Sequence, residues 1–152
     1  MKKSQSVFRS KKETENLAGS YKNDKPRSSV VWQWPSSGKL LAQFQGETGQ
    51  NKGIDLGGKL GEPVLAAASG RVVYAGSGLS GYGNLLIIKH NETFLSAYAH
   101  NEEISVKEGD FVKAGQKVAD MGSSGTDRVK LHFEIRSDGS PVDPLRYLPK
   151  RQ

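Results

Sequence analysis

At 152 residues the chain suffices for one domain with a real core and is too short for two. Eighteen glycines, 35% hydrophobic residues and a mean hydropathy of -0.58 describe a turn-rich globular sequence, with no apolar run near the roughly 20 residues of a spanning helix. The absence of cysteine excludes disulfides, thiol nucleophiles, thiolate metal sites and a lipidated cysteine within these residues, while the formal charge of +6 must be located before it is interpreted.

Most of that charge lies at the start. Residues 1–30 carry 8 basic and 3 acidic residues, against 14 and 13 in the remainder. Lys2, Lys3, Arg9, Lys11, Lys12, Lys22, Lys25 and Arg27 sit among Ser, Asn and Glu without apolar periodicity, so residues 1–29 are expected to form a disordered basic arm. The charges are not regularly interleaved with aromatic residues, as base-stacking platforms require, and no nucleic-acid partner is expected. No signal-peptide apolar region follows Met1-Lys2-Lys3, which places any export signal upstream of the chain.

Past residue 29 the apolar residues adopt a period of two, and residues 30–152 are expected to form one all-β domain of antiparallel, glycine-rich sheets. Arg71–Ala75 and Leu85–Lys89 are short aliphatic runs bounded by glycine. Phe94–His100 follows after Asn91-Glu92-Thr93, which predicts a hairpin over Leu85–His100 with His90 exposed near its turn. Lys117–Met121 lies between Gly115 and Gly122, and Leu131–Arg136 ends at Ser137-Asp138-Gly139. No segment carries a helical stripe.

Strand alternation assigns side chains to faces. Leu131, Phe133 and Ile135 form a core face, leaving Lys130, His132 and Glu134 on the other. The same rule groups Ser96, Tyr98 and His100 against Leu95, Ala97 and Ala99.

Several motifs, in order, carry a resemblance to a known family: Asn51-Lys52-Gly53-Ile54-Asp55, Pro63-Val64-Leu65-Ala66-Ala67, Ser69-Gly70-Arg71-Val72, Gly81-Tyr82-Gly83-Asn84, Tyr98-Ala99-His100, Val112-Lys113-Ala114-Gly115-Gln116, Leu131-His132-Phe133-Glu134-Ile135-Arg136 and Val142-Asp143-Pro144-Leu145. Running in order from Asn51 to Leu145, they resemble the LytM, or lysostaphin-type, peptidases. The resemblance implies a sheet fold with a central groove. Active members of that family cut peptide cross-links of bacterial peptidoglycan with one zinc ion held by a His, an Asp four residues later and the second His of a His-x-His pair. Three protein ligands leave a position for a water that zinc acidifies, while nearby imidazoles move protons.

By this resemblance Asp55 matches the aspartate ligand, His132 the second histidine of the pair, and His100 the catalytic histidine of a neighbouring strand. Asn51 stands where the first zinc-binding histidine belongs and Lys130 where the first histidine of the pair belongs. An asparagine oxygen is a poor zinc ligand, and an ammonium beside the site repels a dication. Neither metal, cofactor nor hydrolysis is therefore expected.

The degenerate subgroup of the family includes envelope proteins that activate N-acetylmuramoyl-L-alanine amidases during Gram-negative cell division. The resemblance to them implies a monomeric, non-enzymatic amidase activator of the periplasm or cell envelope, with peptidoglycan as a second ligand. Its groove would be lined by Asn51, Asp55, Tyr98, His100, Lys130 and His132. The alternatives are a passive peptidoglycan-binding module and a residual zinc endopeptidase. A biotinyl or lipoyl carrier, suggested by Gly61-Glu62-Pro63-Val64, is excluded because Ala119-Asp120-Met121-Gly122 presents no lysine.

Overall fold

A computed structural model describes residues 30–151; the expected basic arm, residues 1–29, lies outside the described residues. Ten strands follow in chain order: β1 (Leu40–Ala42), β2 (Ile54–Gly57), β3 (Pro63–Leu65), β4 (Gly70–Gly76), β5 (Asn84–Lys89), β6 (Phe94–Ile104), β7 (Phe111–Val112), β8 (Lys117–Met121), β9 (Lys130–Ser137) and β10 (Ser140–Val142). The one helical element among the described residues is a 3-10 turn, Pro144–Arg146, whose first turn is capped by the Asp143 carboxylate accepting from Leu145 N. The fold is all-β, and the strands run antiparallel in the order β1-β2-β9-β6-β5-β4-β7, with β10 beside β9 and β8 joining β3 to β6.

The expected hairpin forms between β5 and β6. Asn91 closes it, its Oδ1 accepting from Thr93 N and Phe94 N, as short polar side chains do in turns. β5 is buried on both faces because alternate residues feed two clusters. Leu86 and Ile88 enter the main core with Ile54, Leu56, Tyr98, Leu131, Phe133 and Ile135, whereas Leu85 and Ile87 join Leu79, Leu95, Ala97 and Ala99 on the opposite face. Tyr82 packs on this second cluster, so the segment between β4 and β5 is anchored on the sheet face that carries the polar residues of β9.

Three sequence expectations are corrected here. The pairing of β6 with β9 sets Tyr98 opposite Phe133 and Ser96 opposite Ile135, which places both on the core face. Tyr98 is fully buried: its hydroxyl accepts from Ala67 N and its ring lies 5.3 Å from that of Phe133. Alternation alone would also send His100 into the core. Its backbone, however, takes a left-handed φ of 69°, and its ring comes to lie 6.1 Å from that of His132 on the opposite face.

His90 is the third correction, being half-buried and hydrogen-bonded at both ring nitrogens rather than exposed. Its Nδ1 lies 2.7 Å from the Ser69 carbonyl and its Nε2 2.7 Å from Ser96 Oγ, while Trp32 meets the ring edge-on at 5.0 Å. The proton directions follow from the partners. Nδ1 donates to the carbonyl, so neutral Nε2 accepts from Ser96, which accepts in turn from Tyr98 at 2.7 Å. Protonation would break this relay, and burial holds the His90 pKa down to about 4. The group contributes stability that is present above its unfolded pKa and lost as pH falls from about 6.5 toward 4. In a proton NMR titration the His90 ring resonances are expected to move near pH 4; a midpoint near 6.5 would show that the relay does not hold the neutral ring.

Candidate functional site

The site is built where β2 meets β9. Residues Ile54, Asp55, Leu56 and Gly57 pair with Phe133, His132, Leu131 and Lys130. The apolar members face the core, which turns Asp55 and His132 together onto the groove face with Lys130 diagonal to Asp55. The close approach at the entry to β2 requires glycine: a Cβ at Gly53 would lie 2.1 Å from the Phe133 carbonyl oxygen.

On this face five ionisable side chains alternate in sign. Lys130 Nζ donates to Asp55 Oδ2 at 3.1 Å, and Asp55 Oδ1 receives His132 Nδ1 at 2.7 Å. His132 Nε2 reaches Glu134 Oε2 at 2.7 Å, and Arg136 Nε and an Arg136 terminal nitrogen bond Glu134 Oε1 at 2.8 and 2.7 Å. Tyr82 closes the end, its hydroxyl donating to Glu134 Oε2 at 3.1 Å while its ring leans on His132 at 6.2 Å.

The protonation states are set by these contacts. Both ring nitrogens of His132 face carboxylates, so both donate and the ring is an imidazolium. Burial opposes that charge, but the bonds to Asp55 and Glu134 outweigh it and raise the pKa to about 9. Asp55 and Glu134 are each pulled below the usual carboxylate range, the cost of burial being overcome first by His132 and then by Lys130 for Asp55 and Arg136 for Glu134. Three cations balanced by two carboxylates leave the row with one net positive charge.

His100 has the opposite character. Its Nδ1 donates to the Ser124 carbonyl at 2.8 Å, and burial, helped by the nearby His132 and Lys130 charges, lowers its pKa. The neutral ring thus keeps an acceptor lone pair on Nε2. Around it the two loops are locked together: His100 N donates to the Tyr82 carbonyl, and Asn84 N to Ser124 Oγ. Gly83, at a φ of 63°, could not be replaced without trouble, since a Cβ there would lie 2.2 Å from the Ser124 carbonyl oxygen.

Of the six residues expected in the groove, Asp55, His100, Lys130 and His132 are brought together. Tyr98 lies on the far side of the sheet. Asn51 stays within its own loop, its Oδ1 accepting from Gly53 N and its backbone paired with Gln45. Sequence reasoning passed over Tyr82, Glu134 and Arg136. The signal for the last two was the alternation Lys130, His132, Glu134, Arg136 along one face of β9; Tyr82 stood inside a quoted motif with no role attached. A separate cavity of about 580 Å³, lined partly by Glu102, Glu103 and Glu108, lies beside β6 and takes in none of the five charged residues.

The donor set does not fit a zinc ion. Both His132 nitrogens are committed to carboxylates, an ammonium sits on Asp55, and the Asn51 oxygen serves a backbone amide. Among the described residues no group of three His, Cys, Asp or Glu side chains is arranged to hold a metal.

His132 carries a pH signature. A raised folded pKa contributes stability that is complete below the unfolded value near 6.5 and is lost as pH climbs through about 9. The stability difference between the wild type and His132→Gln is expected to shrink by on the order of 2 kcal/mol from pH 6.5 to pH 9.5. A constant difference in denaturant titrations across that range would contradict the imidazolium assignment.

Residues 49–144 match the profile of Peptidase family M23. The chain is 65% identical over 120 residues to the lipoprotein NlpD/LppB homolog of Pseudomonas aeruginosa, covering 79% of this chain and 40% of that protein. It is 58% identical over 121 residues to the murein hydrolase activator NlpD of Escherichia coli, covering 80% of this chain and 32% of that one. The chain thus spans well under half the length of these relatives. Among solved structures, a zinc-containing peptidase of Vibrio cholerae superposes with a TM-score of 0.70 at 29% identity over 80% of this chain and 40% of its own. Lysostaphin of Staphylococcus simulans superposes at 0.67 and 31% identity over 76% of this chain and 51% of its own. The fold, the ordered motifs and the profile lead to one conclusion: the chain belongs to peptidase family M23.

Proposed function

We propose that the domain is a non-catalytic activator of N-acetylmuramoyl-L-alanine amidases, promoting peptidoglycan cleavage in the bacterial cell envelope. The observation that carries this reading is the self-satisfied groove. Asp55 and His132, the positions at which a peptidase of this family would hold metal, are spent on internal ion pairs, with Tyr82 and His100 standing beside them. A groove kept in shape without its chemistry is suited to binding. Relatives named murein hydrolase activators, at 55 to 58% identity, support assigning that binding to the regulation of a wall hydrolase. Relatives named as lipoproteins and outer membrane antigens support an envelope location.

The contact surface in this proposal is the face bearing Lys130, His132, His100 and Tyr82. It offers one net positive charge, an imidazole acceptor at His100 and the half-buried ring of Tyr82, a combination that suits a partner segment carrying a carboxylate beside an apolar side chain. The site is prearranged, so little of the ordering cost of complex formation falls on this domain.

The test is dye release from labelled peptidoglycan. Added to a purified amidase, the chain is expected to raise the rate several-fold and to release no dye alone. Tyr82→Ala is expected to reduce that stimulation about tenfold, a loss of roughly 1.4 kcal/mol of contact energy, whereas Lys113→Ala on the distant turn before β8 leaves it unchanged. An unchanged amidase rate with the wild type would overturn the activator reading, and dye release by the chain alone would overturn its non-catalytic part.

A further inference from the structure

The groove of this chain contains a cation of its own. Lys130 Nζ stands 3.1 Å from Asp55 Oδ2, the oxygen His132 does not use, and the three side chains retain only 20%, 12% and 14% of their exposure for Lys130, Asp55 and His132. Asp55 is thus enclosed between two cations from a single strand. Glu134 repeats the arrangement one step further along β9, between His132 and Arg136, at 1% exposure. Removing either end of such a row leaves a partly buried carboxylate short of a counter-charge, which costs more than the pair contributes when intact.

We propose that Lys130 is the resident cation of the groove: its ammonium occupies Asp55 Oδ2, the carboxylate oxygen that His132 leaves unused, so the chain's own side chain closes that oxygen to divalent metal. The physical basis is short-range repulsion. A dication approaching Asp55 Oδ2 would meet the Lys130 ammonium at contact distance. The consequence reaches past the loss of a ligand. The charge pattern shown to a partner is fixed by the sequence and does not vary with metal supply.

This makes a specific demand on variants of position 130. Lys130→Met keeps the length of the stem and removes the charge, leaving Asp55 Oδ2 open beside an apolar chain. An external cation should then be drawn in. Lys130→Arg keeps the charge and should keep the site closed.

The experiment is thermal melting of the wild type, Lys130→Met, Lys130→Arg and the double variant Asp55→Asn with Lys130→Met, each with about 1 mM zinc chloride and with chelator. Only Lys130→Met is expected to gain about 3 °C or more with zinc, and the double variant is expected to lose that gain. A folded Lys130→Met with no zinc response, or one whose response survives Asp55→Asn, overturns the proposal. Should Lys130→Met not fold, the wild type decides: stoichiometric zinc retained after dialysis overturns the proposal, and its absence together with an unchanged melting temperature in zinc supports it.

Discussion

The bond from His132 to Asp55 joins β9 to β2 across the groove face, and the remaining geometry depends on it. It fixes Asp55 with one oxygen toward the ring and the other toward Lys130, and it turns the second ring nitrogen onto Glu134. Glu134 in turn orients Arg136 and receives the Tyr82 hydroxyl, so the loop wall is tied to the same row of charges as the floor. A single register, Asp55 opposite His132, therefore positions five ionised side chains and one aromatic wall. A slip of one residue in that pairing would send the row into the core and Leu131 and Phe133 to the surface.

The apolar part of the fold supports this row from beneath. Leu86, Ile88, Tyr98, Phe133 and Leu131 fill the main core, while the small residues Ala97 and Ala99 on the other face of β6 leave room for Tyr82 and for His132 and Glu134 paired across from them. The left-handed residue His100 ends this stretch of regular alternation and adds an imidazole to the groove that the pleat would have hidden. Backbone cost of about 1 kcal/mol at such a residue is sustained by its bonds to Tyr82 and Ser124.

Much of this was legible in the sequence, and the exceptions have physical causes. The longer strands β4, β5, β8 and β9 announce themselves as short aliphatic or alternating runs bounded by glycine or turn residues, and the alternation on β9 correctly separates Leu131, Phe133 and Ile135 from Lys130, His132 and Glu134. Strands β1, β3, β7 and β10, of two or three residues, are too short to carry a period. On β6 the rule failed twice for different reasons. Tyr98 has a polar tip but a large apolar body that the core accommodates once its hydroxyl is bonded, and His100 departs from the rule through a positive φ that side-chain pattern does not encode. His90, read as an exposed turn residue, is held by Ser69 and Trp32, partners distant in sequence and visible only after folding. The motifs single out Asp55, His100, Lys130 and His132, which the fold brings together, whereas the internal pairing that explains why Lys130 and Asp55 coexist there is visible only in the folded chain.

His132 donates from both ring nitrogens and so is held as a cation between two carboxylates. Long-range proton–nitrogen NMR of the imidazole tests it most directly. At pH 7.5 both ring nitrogens of His132 are expected to show the shifts and couplings of protonated nitrogen, while His100 shows one protonated and one bare nitrogen. A bare nitrogen on His132 at that pH would mean that a lone pair faces the groove, and the account of a charge-satisfied, self-filled site would fail.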